Sequence, residues 1–596
     1  MDDKKTIGIV DYVIFGALLL SSSLVGIYFG YKHRKRVTSA EYLLANKSMS
    51  WFTICISLVV SFFSSVGVMG ITTNIYMTGV TFSLHILTFL VPIILNAEFF
   101  APIFRRLELI SVNHYLELRF SRGVRFIGCF LFFLQYVIYL AIVLYAPSLA
   151  LETVADVPLM ATIITTGLVC TFYTTLGGMR AVIWTDVFQS MVMVIGLGTS
   201  LVIGVINIGS FEKIYNVTSE FKRFDIDINP DPRGHQTVWG VTIGGTFSIM
   251  AAWTISQPTM QRVIAARSLG DAKKALYGAY VGLLLIGAFL TTLAIVIFAT
   301  YAECDLLKSG KIKSPDQVLP YYVVDNFSHI PGVTGVFIAC LFSFSISTLS
   351  SALNSLAAVF LEDIVKSFNP VLSETFQTRV SKIVACVLGV VITGLAFVVP
   401  LIGNSIIKLV IQLFGIVSGP YFGLFVLGIF FKKSNSVGAG VGSVIGLLVG
   451  IAMMVGQWFY PPGKNLPPVS MAQCTNVTKP DLKFIYPADP VYKDNIIADM
   501  VSFSYMWFGF ITVVLTVFIG YLVSLCHGRC NKEEFVDKIL LYRYSGCCGC
   551  CGGCCSCCDG DGETSYEPYD REVQLMMMKK DQEMEAEDDR RNDVVM

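Results

Sequence analysis

Hydrophobic residues dominate this chain in long runs that lack the alternating polar face of a soluble helix. Runs of spanning length cover 7–30, 51–78, 81–104, 124–150, 157–177, 183–208, 238–262, 274–302, 331–365, 378–402, 405–431, 436–458 and 501–525. Stretches of about 18 or more apolar residues predict membrane-crossing helices. The pattern therefore predicts an all-α polytopic membrane protein with thirteen such helices. The first run is too long for a signal-peptide core and has no small-residue cleavage site, so it reads as a retained helix.

Three runs carry features that a plain lipid-facing helix does not need. In 343–366, Phe344, Ser347, Thr348 and Ser351 fall on one helical face. Hydroxyls at mid-membrane depth need partners, because lipid supplies none. Close helix packing through small residues and cation binding both satisfy that need. The second helix contains Ser61-Phe-Phe-Ser-Ser-Val-Gly67-Val-Met-Gly70, and the seventh contains Gly244-Gly245 and ends in Ser256-Gln257-Pro258. Glycine and proline there are either ordinary membrane-helix residues or the marks of unwound segments with freed carbonyls. Helices two to six and seven to eleven form two halves of five, an odd number, so the second half is expected to be inverted relative to the first.

The organisation expected is an N-terminal helix and first cytoplasmic loop (1–50), a first five-helix repeat (51–208), an extracellular loop (209–237) and a second five-helix repeat (238–431). Two C-terminal helices with an extracellular loop (432–525) and a cytoplasmic cysteine-rich tail (526–596) follow. The segments 209–237, 303–330 and 459–500 read as loops.

Composition agrees with a membrane protein and removes other classes. Of 596 residues, 54% are hydrophobic and 14% charged, and the formal net charge is zero. Nothing here suggests nucleic acid; the partner is the lipid bilayer. Six histidines show no metal-ligand spacing. Basic residues cluster after the first helix (Lys32, Arg34, Lys35, Arg36) and between the third and fourth (Arg105, Arg106, Arg119, Arg122, Arg125). Others lie between the seventh and eighth (Arg262, Arg267, Lys273, Lys274), the ninth and tenth (Lys366, Arg379, Lys382) and the eleventh and twelfth (Lys432, Lys433). By the positive-inside rule the N-terminus is extracellular and the C-terminus cytoplasmic. The sequons at Asn216, Asn326 and Asn476 then lie outside as glycosylation candidates, and Asn46 lies inside.

Cys304 and Cys474 are the cysteines of the outside loops and either pair or remain free thiols. The tail holds Cys547, Cys548, Cys550, Cys551, Cys554, Cys555, Cys557 and Cys558. Dense doublets suit lipidation beside a membrane better than zinc, which takes loop-separated pairs. The tail is also a candidate for binding other proteins.

Certain stretches carry a family resemblance: Tyr115-Leu-Glu-Leu-Arg-Phe120, Thr175 through Gln189 (Thr-Leu-Gly-Gly-Met-Arg-Ala-Val-Ile-Trp-Thr-Asp-Val-Phe-Gln), Gln261-Arg262, and Ser347-Thr-Leu-Ser-Ser-Ala-Leu-Asn354 with Glu362-Asp363. With these, residues 10–525 resemble the sodium:solute symporters, whose fold is the LeuT-type inverted repeat of 5+5 helices. The wording is most similar to the animal branch of monocarboxylate, multivitamin and iodide symporters.

The resemblance implies a sodium site formed by the carbonyls of Val60, Phe63 and Phe344 with the hydroxyls of Ser347 and Thr348. It gives Asp186, with Gln189 one turn later, a role in supporting that site or its release path; a helix-start carboxylate favoured by the dipole is the plainer alternative. Ser64, Gly67 and Gln257 become substrate candidates. Pro258 after Gln257, and Gly67 and Asn74 themselves, depart from the family's usual residues. Lys408 either snorkels to the interface or draws an anion into the outer vestibule. His85 reads as a packed polar residue rather than a proton carrier.

The expected function is sodium-coupled import of a small organic anion, a monocarboxylate, across the plasma membrane by alternating access, with sodium as coupling ion and no other cofactor. A vitamin-like acid, an iodide-like anion or a neutral sugar or polyol is the alternative cargo. A non-transporting sodium-dependent sensor is the rival class. An enzyme is disfavoured, since no nucleophile–base pair or metal motif falls in the bundle.

Overall fold

The computed structural model describes residues 8–32, 47–107, 109–155, 157–369, 372–402, 405–463, 466–474 and 502–528. The tail cysteines and Asn476 lie outside the described residues. The described residues form helices and no strands, apart from one isolated bridge between Met49 and Ala266. Among them nine helices are long and apolar enough to cross a membrane, and a tenth crossing comes from a bent pair. Backbone groups in hydrocarbon must be satisfied within the helix, so helices are the form this composition permits.

Helix α1 (Ile9–Lys32) packs beside the later helices through one buried carboxylate. Asp11 Oδ1 accepts the N–H of Gly335 at 2.7 Å. Gly335 lies in the first turn of α13 (Val333–Phe368), whose membrane window is almost wholly buried. Asp11 thus caps the positive end of a helix 324 positions away.

The bent pair is α2 (Trp51–Phe62) and α3 (Ser65–Thr78), which meet at 59°. Phe63 and Ser64 are extended at the break, and Ser64 N–H turns to the Phe62 carbonyl. The Val60 carbonyl therefore loses its usual i+4 donor. At the other end of α3, Gly79 has φ +86°, and a Cβ there would lie 2.6 Å from the Arg223 carbonyl, so the turn admits only glycine. Helix α4 (Val80–Leu107) follows, with a 3₁₀ start and a π turn at Asn96–Phe100.

A second break falls between α9 (Gly245–Thr254) and α10 (Gln257–Ala265), at Ile255 and Ser256. Pro258 sits in the first turn of α10, where a missing N–H costs no hydrogen bond. Gly244 and Gly245 do not break the chain; a π turn over Gly240–Gly244 runs straight into α9.

After α5 (His114–Arg119) and α6 (Arg122–Ala155), helix α7 runs from Leu159 to Ile208 without a gap. It is nevertheless two arms. Cys170 Sγ lies 4.0 Å from the Ile346 carbonyl and Ser347 Oγ lies 2.5 Å from Asp186 Oδ1. A straight helix would hold positions 170 and 186 about 24 Å apart, yet both reach adjacent residues of α13. The chain therefore reverses between them, where Gly177 and Gly178 fall in sequence.

Two segments expected as loops contain helices: α8 (Phe211–Glu220) in 209–237 and α12 (Val318–Phe327) in 303–330. Both are too short to give an apolar run of spanning length. The remaining helices are α11 (Leu269–Tyr301), α14 (Glu374–Ala396), α15 (Ile406–Phe430), α16 (Ser436–Phe459) and α17 (Phe508–Gly528). Helices α16 and α17 approach closely where Gly442 meets Gly520, the small-residue contact that lets backbones touch in lipid.

The two ends of the bundle are tied differently. At one, Cys304 and Cys474 form a disulfide with Cα atoms 5.0 Å apart. Beside it, buried Arg223 donates to the carbonyls of Met77 at 2.6 Å and Pro468 at 3.3 Å. At the other, Arg125 bridges Glu117 and Asp363, and Asp363 Oδ2 also accepts from Ser111 at 2.7 Å and Asn113 at 2.9 Å. Arg119 donates to the carbonyls of Gly428, Phe431 and Ser434. Arg119 and Arg125 were counted as loop charges in the sequence; both are buried clamps, because each finds enough oxygen acceptors to leave water.

Candidate functional site

The α2–α3 break, the hydroxyl face of α13, the Asp186 arm of α7 and Arg262 of α10 meet at one place. Thr348 Oγ1 donates to the Ser61 carbonyl at 3.0 Å and contacts the Phe344 carbonyl at 3.1 Å. Ser347 Oγ donates to Asp186 Oδ1 at 2.5 Å, and Ser57 Oγ donates to Asp186 Oδ2 at 2.5 Å. Val60 and Phe63 are buried at the break itself. Oxygen ligands from three chain segments thus face one another with a single carboxylate among them. Carbonyls and hydroxyls replace the hydration shell of a small hard cation without burying excess charge.

A guanidinium shares this knot. Arg262 donates from Nε to Ser57 Oγ at 2.7 Å, and from Nη2 to Ser351 Oγ at 2.6 Å, Ser61 Oγ at 2.5 Å and Asp186 Oδ2 at 3.2 Å. Arg262 and Asp186 are 1% and 0% exposed. Counted in the sequence as a loop charge marking the cytoplasmic side, Arg262 instead lies inside the bundle. A charge so deep requires a partner, and Asp186 is it.

Next to the knot is a cavity of about 120 Å³, room for about four waters at their liquid volume. Arg262, Ser351 and Thr348 form its polar edge. Phe62, Phe89 and Trp253 line it as an aromatic cluster, with Phe62 centred 4.8 Å from Trp253 and 5.1 Å from Phe89. His85, Tyr136, Tyr139 and Phe414 also line it. Tyr139 donates to Ser64 Oγ at 3.2 Å.

Of the sequence candidates, Phe344, Ser347, Thr348 and Asp186 converge with the break at Val60 and Phe63, while Ser64 and Gly67 line the cavity. Gln189 is fully buried one turn from Asp186, and neither of its amide atoms finds a partner among the described residues. Gln257 does not reach the cavity: its amide accepts from Val112 N–H at 2.9 Å and donates to the Ile110 carbonyl at 2.6 Å. It joins α10 to the segment before α5, because Pro258 starts a new helix and turns the side chain away. Lys408 is not a cavity residue either; its ammonium lies 5.9 Å above the Tyr505 ring.

Among the glycosylation candidates, Asn216 is exposed on α8. The Asn326 amide donates to Tyr301 Oη at 3.0 Å and the Tyr322 carbonyl at 2.9 Å.

Sequence reasoning missed Ser57, Arg262, Tyr136, Tyr139 and Trp253. The spacing of Ser57 and Ser61, one helical turn apart before a break, was the available signal for the first.

Comparison with known proteins places this arrangement. Residues 42–446 match the model of the sodium:solute symporter family. The chain is 35% identical over 540 residues to mouse sodium-coupled monocarboxylate transporter 2, covering 89% of this chain and 86% of that protein. It is 35% identical over 570 residues to human sodium-coupled monocarboxylate transporter 1 (91% and 93% covered) and 34% identical over 530 residues to the rabbit sodium-dependent multivitamin transporter (88% and 83% covered). Among solved structures, a Na⁺-coupled sialic acid symporter in a substrate-bound outward-open state superposes with TM-score 0.71 at 23% identity, over 87% of this chain and 98% of that one. That likeness shows a shared fold.

Proposed function

Because the chain belongs to the sodium:solute symporter family, we propose that it couples sodium entry to uptake of a small monocarboxylate anion. The observation that carries this is the oxygen cluster at the α2–α3 break: the Ser61 and Phe344 carbonyls with Ser347, Thr348 and Asp186, opening beside the cavity. Sodium is held by the carbonyl and hydroxyl oxygens, and the Asp186 carboxylate balances its charge. Arg262 shares the Asp186 carboxylate with that cluster, so ion and guanidinium compete for it during the cycle.

The cargo sits in the adjacent cavity with its carboxylate toward Arg262 and its carbon body against Phe62, Phe89 and Trp253. An aromatic wall suits an apolar body better than a polyol, whose hydroxyls would go unpaired. Monocarboxylate transport by relatives 35% identical over most of both chains supports the same choice.

The architecture that goes with this reading is thirteen crossings: the nine spans, the bent pair α2–α3, the interrupted pair α9–α10, α1, and the first arm of α7. Residues 51–208 and 238–431 form an inverted pair of five, and the disulfide end faces outward with the N-terminus at the plasma membrane. One elementary charge across 100 mV supplies about 2.3 kcal/mol, enough to concentrate an anion when sodium entry exceeds the cargo's charge.

The test is tracer uptake in oocytes with sodium present or replaced. Sodium-dependent accumulation of a short monocarboxylate, with sugars and polyols inert, is the expected result. Sodium-dependent current without tracer uptake would overturn transport in favour of a sensor.

A further inference from the structure

A second hollow lies on the far side of the ion cluster, open to the flank of the bundle. It is a groove of about 410 Å³ between α2, the Asp186 arm of α7 and α11. Val59, Val60, Met193, Leu197, Ile286 and Phe344 line it. On α11 it runs from Gly282 to Phe289, about 10 Å along the helix axis. The surrounding surface is apolar and exposed: Val194 at 73%, Leu285 at 68% and Val281 at 55%. On membrane-spanning helices such a surface faces hydrocarbon.

The lining offers a polar ligand almost nothing. Ser190 holds the one hydroxyl in it, and that hydroxyl already donates to the Val187 carbonyl at 2.6 Å. A headgroup or a sterol hydroxyl would enter without a partner, at the cost of an unpaired polar group. An acyl chain needs no partner, and the bilayer presents one at this depth.

Two of the lining residues also shape the ion cluster. Val60 lines the groove and has its carbonyl at the α2 break. Phe344 lines the groove and has its carbonyl against Thr348 Oγ1 at 3.1 Å. Helix α2 is a twelve-residue half-helix held against α11 where Val59 meets Gly282. Whatever fills the groove therefore sets how far α2 can swing from α13 and how closely the oxygens converge.

We propose that the groove is a binding site for one acyl chain of a bilayer phospholipid, and that its occupancy tightens the sodium site. The second part rests on the sodium coupling proposed above. The full-length protein is reconstituted in vesicles containing a phospholipid with a diazirine in mid-chain, irradiated and mapped by mass spectrometry. Three substitutions are compared: Val194→Trp and Leu285→Trp, which plug the mouth from exposed positions, and Val390→Trp on the exposed face of α14 as control.

Labelling should concentrate on peptides spanning 55–60, 190–197 and 282–289. Each plugging variant should reduce it about fivefold and shift the sodium half-saturation for uptake at least threefold, with Val390→Trp unchanged. Labelling no denser than on α14, insensitivity to both plugs, or displacement by a sterol but not by unlabelled phospholipid would overturn the acyl-chain site. Strong labelling lost in the plugs without any sodium shift would overturn the coupling. Labelling requires no transport, so a failure of the sodium reading itself shows as sodium-independent uptake in the wild type while the groove is still tested.

Discussion

Asp186 and Arg262 face each other at 3.2 Å, both almost wholly buried, with four serine hydroxyls closing around them. Removing either partner leaves the other charge without compensation at membrane depth. Arg262→Ala is expected to cost about 3–5 kcal/mol and to reach the surface poorly. Asp186→Asn keeps one accepting oxygen and loses the other along with the counter-charge, raising the sodium half-saturation about tenfold, or ~1.4 kcal/mol. Arg262→Ala with Asp186→Asn should recover surface expression relative to Arg262→Ala alone. Surface biotinylation with sodium titrations of uptake checks all three, and failure of the double variant to recover would remove the ion pair from the account.

Ser347→Ala and Thr348→Ala delete one oxygen each with little change of volume. Both should raise the sodium requirement roughly tenfold while leaving surface abundance near wild type. Thr348→Ser, which keeps the hydroxyl that reaches the Ser61 carbonyl, should behave as wild type within about twofold. Wild-type sodium dependence in both alanine variants would place the ion elsewhere.

Asp316 gives a pH handle. It lies in the turn before α12, with Oδ2 accepting the Ile406 N–H at 2.9 Å and Oδ1 without a donor among the described residues. Burial pushes its carboxyl up to about 7, opposed by the Ile406 bond. A carboxyl raised in the folded state holds its proton more tightly there than in the unfolded chain. Stability should therefore increase as pH falls through about 7 and level off below the ordinary value of 3.8. Asp316→Asn, a mimic of the neutral form, should flatten thermal stability between about pH 4 and 7. A slope equal to wild type would assign the titration to another group.

The Cys304–Cys474 disulfide closes a loop of 170 residues. Cross-links of that span contribute about 2–5 kcal/mol. Cys304→Ser with Cys474→Ser should lower the melting temperature by several degrees, and dithiothreitol should reproduce the loss in the wild type but not in the double variant. Melting followed by size-exclusion chromatography reads both.

Lys408→Gln should leave the half-saturating concentration of a carboxylate substrate within about twofold of wild type, because the ammonium lies over Tyr505 rather than in the cavity. Uptake kinetics at low and high salt check this; a salt-sensitive rise would return Lys408 to anion capture.

What could be read from the chain divides along physical lines. Apolar runs marked the helices because lipid allows little else, and the hydroxyl face of 344–351 was visible because four polar-compatible positions repeat at helical spacing. The break at Phe63–Ser64 was legible from its serines and glycines. Arg262, Arg119 and Arg125 were misplaced because charge counting treats every arginine as solvated, whereas tertiary partners decide which ones leave water. Gln257 and Lys408 were misdirected by a single helical rotation, which no linear pattern resolves. The acyl groove has no sequence signature, since its residues come from four distant stretches, each of which reads as ordinary membrane helix.

The bond from Asp11 to Gly335 has a consequence for how the protein is made. A ribosome adding about 5–20 residues per second needs roughly 15 to 65 s to travel the 324 positions between them. Throughout that interval the first helix has already emerged, carrying a carboxylate whose partner does not yet exist. It must wait at the membrane surface, or beside the insertion machinery, until α13 arrives to receive it. A segment made 324 positions before its partner is thus locked late, and a change at Asp11 should register as slow or failed maturation of newly made chains before it registers in the activity of those that finish.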